Sequence, residues 1–182
     1  MIFIGLGANL PTETYGPPRA ALGAALEALQ GQGPVIRQHS PWYESAPVPV
    51  SDQPWYVNGV CRIETTLTAQ QLVALLLDLE TRFGRLRSVQ NAPRILDMDL
   101  LAYNDLVLAG SDPSALSVPH PRMYGRAFVI LPLADIAPDW VDPVSGKAIC
   151  DLRAALPEDQ QTRPMADAHG LFGTEWPGQA GE

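Results

Sequence analysis

Two helical stripes, each preceded by a strand-like apolar run, restrict the folds open to this chain more than any other feature. Ile2–Ala8 is apolar and short, as a buried strand is. Pro17-Pro18 then opens a helix in which Leu22, Leu26 and Leu29 recur at i, i+4 and i+7, with Gly31 placed to end it. Residues 55–66 alternate: Trp55, Val57, Gly59, Cys61 and Ile63 share one face, and Tyr56, Asn58, Val60, Arg62 and Glu64 share the other. Thr68 starts a second helix with capping-box spacing to Gln71, its core side lined by Leu72, Leu76, Leu79 and Phe83, and Gly84 stops it. Further strands are expected over residues 35–44 and in the apolar run that holds Asp97 and Asp99. The order β-α-β-β-α-β predicts an α+β, ferredoxin-like core with an antiparallel sheet, followed by extra strands or helices. Proline-punctuated loops are expected at 46–54 and 117–121, a helix or buried run at 128–136, and a hairpin turn at 143–146. Beyond residue 157 the chain is polar and rich in Pro and Gly. One domain over 1–157 and a loosely held tail over 158–182 are therefore expected.

The chemistry concentrates in Asp97-Met98-Asp99, inside the run Ile95-Leu96-Asp97-Met98-Asp99-Leu100-Leu101. On a strand, residues i and i+2 leave the same face, roughly 6–7 Å apart along the chain. Two carboxylates this close on a half-buried strand repel each other and lose solvation. A hard divalent cation relieves both costs, and Mg²⁺ characteristically combines one or two carboxylates with water and substrate phosphates. The bland alternative is a solvated acidic face. Arg85, Arg87 and Arg94 lie just upstream, and guanidinium groups fork onto phosphate oxygens. Carboxylates and arginines together suit a Mg²⁺-bound polyphosphate.

The formal net charge of -8 argues against nucleic acid or an anionic membrane surface as the main partner. The two cysteines, Cys61 and Cys150, make neither a disulfide framework nor a zinc pattern. No apolar run is long enough to span a bilayer, and the N-terminus carries no basic region of a secretory signal. A reduced, cytoplasmic setting is expected.

Several short motifs then fall into one order: Gly5-Leu6-Gly7-Ala8-Asn9-Leu10, Tyr43-Glu44-Ser45-Ala46-Pro47, Asp52-Gln53-Pro54-Trp55-Tyr56-Val57-Asn58, Glu80 with Gly84-Arg85-x-Arg87, Ala92-Pro93-Arg94-x-x-Asp97-x-Asp99, and Val118-Pro119-His120-Pro121-Arg122-Met123 with Arg126-x-Phe128. Each is weak alone. Together, over about residues 1–140, the chain resembles the 6-hydroxymethyl-7,8-dihydropterin pyrophosphokinases of folate biosynthesis. The resemblance implies transfer of pyrophosphate from ATP to the hydroxymethyl oxygen of the pterin, leaving AMP. It implies that Asp97 and Asp99 hold two Mg²⁺ ions and that Arg85 and Arg94 act on the phosphates, with Arg87 assisting. It puts Glu80, His120 and Arg126 on the nucleotide. It makes Tyr56 and Phe128 the two faces of an aromatic clamp on the pterin, with Asn58 on the pterin edge and Ser45 and Val48 lining the pocket. It also implies a monomer whose partners are these two small molecules.

The chain departs from that pattern at Asn91-Ala92, where the family commonly has Trp-Gly, and in an arginine loop about one residue shorter. Leu77 and Ala115 stand where polar or basic residues are common. Retained activity with weaker substrate binding is the expectation. The rival readings are an Asp-x-Asp glycosyltransferase, a binding module that has lost turnover, and an RNA-binding ferredoxin-like domain. The first needs a larger nucleotide domain than the element order offers. Intact Arg94, Asp97, Asp99 and His120 oppose the second, and the net charge opposes the third.

Overall fold

A computed structural model describes residues 1–84, 94–110 and 116–179. Its elements are β1 (Ile2–Ala8), α1 (Pro18–Gln30), β2 (Val35–His39), β3 (Tyr43–Ser45), β4 (Tyr56–Glu64), α2 (Ala69–Arg82), β5 (Asp97–Tyr103), α3 (Ala127–Ile136), α4 (Ile149–Ala154) and β6 (Thr162–Pro164). The sheet runs β5-β1-β4-β3-β6, with β2 also paired to β4, and its ladders are antiparallel. This is the expected α+β architecture.

The helix ends follow from their residues. Pro17 caps α1 and Pro18 occupies its first turn, where a missing N–H costs nothing; the Gly31 N–H closes the other end on the Glu27 carbonyl. At α2 the Gln71 N–H donates to Thr68 Oγ1 at 3.2 Å, and the Thr68 N–H donates to Gln71 Oε1 at 2.9 Å. Gly84 follows at φ +90°, a left-handed conformation that stops the helix.

Alternation along the strands divides the interior into two layers. Ile4, Leu6, Met98 and Leu100 meet Leu22 and Leu26 of α1 and Leu72, Leu76 and Leu79 of α2. On the other face Phe3, Val60 and Leu101 pack under Ile130 and Leu133 of α3 and Ile149 and Leu152 of α4. The second layer covers only part of its face, and the site described below lies on the remainder.

Two expectations are corrected. The single strand over 35–44 is two strands, because Pro41 has no N–H for the ladder and Trp42 turns inward. Ser40 bridges the break: its N–H donates to the Val60 carbonyl, and its Oγ accepts from the Val60 N–H at 3.0 Å. The segment after residue 157, expected to be loosely held, pairs β6 with β3 and then returns across α1. There Arg19 bonds Glu175, and Trp176 Nε1 donates to Glu27 Oε2 at 2.6 Å. A Cβ on Gly23 of α1 would stand 2.0 Å from Thr174 Oγ1. Composition missed this packing because it depends on contacts distant in sequence.

Trp42 sits over Gly59 of β4, where an added Cβ would come within 2.7 Å of its ring. Gly59→Ala is therefore expected to destabilise the fold by about 1–3 kcal/mol through overpacking. Thermal unfolding would measure it, and an unchanged Tm would mean that the indole has room to move.

Candidate active site

β5 presents Asp97 and Asp99 on the open face, with Met98 buried between them. Across the ladder Asp97 lies opposite Gly7 and Asp99 opposite Gly5, while Gly7 in turn lies opposite Asn58. The two aspartates thus face a strip of bare backbone, where a strand glycine lets a ligand approach closely. The signal was present in Gly5-Leu6-Gly7, but only the register gives it a meaning.

Arg94 forms an ion pair with Asp97. Its backbone is fixed by Asn9: Arg94 N–H donates to Asn9 Oδ1 at 2.7 Å, and Asn9 N–H donates to the Arg94 carbonyl at 2.9 Å. Asn9 Nδ2 also donates to the Pro54 carbonyl at 3.1 Å, which ties this corner to the loop before β4. Burial works against the Arg94 charge, and Asp97 and Asp99 more than compensate, so its pKa is raised. Burial raises the Asp99 pKa, and the like charge of Asp97 raises it further; His120, Arg126 and Arg94 pull the other way.

His120 is held by its own N–H, which donates to the Leu101 carbonyl at 2.8 Å. Its Nδ1 accepts from the Arg122 N–H at 3.2 Å, so in the neutral ring the proton is on Nε2, 3.9 Å from Asp99 Oδ2. Burial lowers the His120 pKa against the opposing pull of Asp99.

Two clefts meet at the aspartates, joined by a smaller hollow of about 40 Å³ that Asp97 and Asp99 both line with Gly5, Gly7, Asn58, Arg126 and Phe128. One, of about 150 Å³, is lined by Ser45, Val48, Tyr56, Asn58 and Phe128 together with Arg94, Asp97 and Arg126. All five residues expected around the pterin thus share one cavity. Asn58 and Ser45 are buried, and Asn58 Nδ2 donates to Ser45 Oγ at 2.8 Å, which fixes the amide. Tyr56 Oη donates to Gln53 Oε1 at 3.1 Å, and burial raises its pKa. The Arg126 guanidinium lies 5.5 Å from the Phe128 ring centroid. The other cleft, about 550 Å³, is lined by Leu76, Leu77, Met98, Asp99, His120 and Arg122 among others. Asp97 belongs to the first cleft and Asp99 to the second, while Arg122 borders both.

Glu80 differs from its expected place on the nucleotide. It is 1% exposed, and its Oε1 accepts from the Met98 N–H at 2.7 Å, so it reaches the backbone between the aspartates from the core side. Helix periodicity explains this, since residue 80 lies four positions after the buried Leu76. Arg85, Arg87, Asn91-Ala92 and Ala115 lie outside the described residues. Arg122, Gln53 and the two strand glycines line the site and Asn9 anchors Arg94 beside it, roles that the motifs alone do not give.

Residues 3–138 match the family described as 7,8-dihydro-6-hydroxymethylpterin-pyrophosphokinase. Three bacterial relatives each carry the name 2-amino-4-hydroxy-6-hydroxymethyldihydropteridine pyrophosphokinase. The protein of Synechocystis sp. is 41% identical over 150 residues, covering 82% of this chain and 72% of its own. That of Pseudomonas aeruginosa is 39% identical over 158 residues, 86% of this chain and 91% of its own. That of Haemophilus influenzae is 39% identical over 144 residues, 79% and 85% of the two chains.

Proposed function

Because the chain belongs to the 7,8-dihydro-6-hydroxymethylpterin-pyrophosphokinase family, we propose that the two clefts meeting at Asp97 and Asp99 divide that family's reaction between them. The enzyme transfers pyrophosphate from ATP to the hydroxymethyl oxygen of 6-hydroxymethyl-7,8-dihydropterin in folate synthesis, giving the pterin diphosphate and AMP. The smaller cleft takes the pterin and the larger takes ATP. The observation that carries this division is the junction itself: one aspartate lines each cleft, with Arg122 on the border of both.

In this reading Tyr56 and Phe128 stack on the pterin faces, since offset stacking favours a flat heterocycle between two rings. Asn58, oriented by Ser45, addresses the pterin edge, and Val48 closes the cleft mouth. Arg94 and Arg126 offer planar forks to the phosphates. The neutral His120 ring directs its Nε2–H toward the phosphate side of Asp99. Arg85 and Arg87, in the loop after α2, are proposed to assist there. Glu80 acts from beneath, holding the Met98 backbone so that both carboxylates keep their aim. Positioning and charge neutralisation supply most of the catalysis in phosphoryl transfer, and these groups supply both.

Among the described residues, no group of three or more His, Cys, Asp or Glu side chains is placed to cage a metal. Asp97 and Asp99 fit Mg²⁺, which keeps waters and takes its remaining ligands from phosphate; two ions are proposed. Bound there, Mg²⁺ would neutralise charge on the ATP phosphates. No helix among the described residues is long and apolar enough to cross a membrane. A monomer acting in the cytoplasm on these small molecules, without nucleic acid or membrane, completes the proposal.

AMP formation from ATP, measured with and without the pterin, tests the reading. Pterin-dependent AMP that stops when EDTA removes divalent cations and returns with Mg²⁺ is the expected result. No AMP at saturating ATP, pterin and Mg²⁺ would refute it.

A further inference from the structure

The family match ends at residue 138, yet the chain after it reaches back to both walls of the smaller cleft. One wall begins α3 at Arg126 and Phe128. Arg126 occupies the N-cap position but makes no side-chain cap. The Gln160 amide supplies what is missing: Ala127 N–H donates to its Oε1 at 2.8 Å, and its Nε2 donates to the Gly125 carbonyl at 2.6 Å. One side chain thus holds the backbone on both sides of Arg126. The opposite wall is β3 and the residues after it. There Ala46 N–H donates to the Gln161 carbonyl at 3.0 Å, and Thr162–Pro164 pairs with Tyr43–Ser45. Ser45 and Ala46 line the cleft from that side, while Arg126 and Phe128 line it from the other.

We infer that residues 160–164 are a strap across the pterin cleft and that Gln160 is a positioning residue, setting Arg126 and Phe128 through the backbone that flanks them. The inference rests on assigning this cleft to the pterin. Local backbone bonds hold part of this turn, the Arg126 N–H donating to the Met123 carbonyl at 3.1 Å and the Val129 N–H to the Arg126 carbonyl at 3.0 Å, while the Ala127 N–H takes its acceptor from Gln160. Arg126 is partly buried beside Arg122, and burial followed by that like charge disfavours its charged form. An unclamped first turn would let the guanidinium swing toward solvent and carry the Phe128 ring with it.

Gln160→Ala removes both bonds and leaves β6 in place. The KM for the pterin is expected to rise roughly ten-fold, as losing a hydrogen-bond pair at a half-buried site implies, with kcat changed less than about three-fold. Gln160→Glu keeps an acceptor for the Ala127 N–H and should recover part of the loss. Asp159→Ala, at the exposed neighbouring position, should leave KM unchanged. A purely structural role would lower the active fraction, and with it kcat, without moving KM. The wild-type arm separates the two levels. Absence of pterin-dependent AMP in wild type would overturn the cleft assignment and this inference together. Normal wild-type turnover with an unchanged pterin KM in folded Gln160→Ala protein would overturn the inference alone. Failure of both Gln160 variants to fold, followed by circular dichroism, would also overturn it, making the residue one of stability.

Discussion

Asp99→Asn is expected to abolish turnover and stabilise the protein at neutral pH. The loss of kcat should be on the order of 10³-fold, the scale on which removing one preorganised electrostatic group slows a charge-dominated step. The stability gain follows from the same carboxylate. Burial and Asp97 raise the Asp99 pKa in the fold. A carboxyl whose folded pKa exceeds its unfolded value opposes folding when ionised. The penalty is absent below the ordinary carboxylate range, grows as pH rises toward the folded pKa, and stays constant above it. Asparagine keeps the shape without the charge, so its Tm advantage should appear at pH 7–8 and vanish near pH 3. Mg²⁺ should raise the Tm of wild type, by holding the charge that costs the fold, and have far less effect on the variant. A variant with wild-type kcat would remove Asp99 from the reaction. A variant melting below wild type at pH 8 would mean that His120 and Arg126 outweigh burial and repulsion at this position.

Where local rules act alone, the sequence was readable. Thr68 and Gln71 form their box, Gly84 ends its helix, and the strand alternation sends Asp97 and Asp99 outward together. The same alternation puts Tyr56 and Asn58 on the cleft side, and the resemblance gathered Ser45, Val48 and Phe128 around them. What escaped depends on partners far along the chain. Pro41 hints at a broken strand, but the reason for the break is the slot over Gly59 that receives Trp42. Glu80 reads as an ordinary helix carboxylate until Met98 is brought beneath it. Gln160 belongs to a stretch whose composition resembles a solvated tail, and only the tertiary fold shows its amide spanning Gly125 and Ala127.

Gly7→Val is expected to spare the fold and close the pterin cleft. Gly7 is the central residue of a cross-strand row, with Asp97 on one side and Asn58 on the other. A Cβ built there meets Asn58 Oδ1 at 3.0 Å and the Val57 carbonyl only at 4.0 Å. The new side chain would therefore press on the one amide proposed to read the pterin edge, and project into the cavity that Gly7 lines. Strand preference works the other way: β-branched residues suit a pleated surface, and replacing glycine lowers the entropy lost on folding. These gains should offset much of the local crowding, leaving Tm close to wild type. The pterin KM should rise roughly ten- to hundred-fold, since overpacking of about 1–3 kcal/mol would fall on the bound state. Gly7→Ala should lie between, because its single methyl needs Asn58 to retreat only a few tenths of an ångström. In the proposed division ATP takes the other cleft, so its Kd, measured by calorimetry in the absence of pterin, should not move. Parallel loss of ATP and pterin affinity would mean that β1 itself had distorted. An unchanged pterin KM in the valine variant would place the pterin away from this floor, and the division of the two clefts would have to be redrawn.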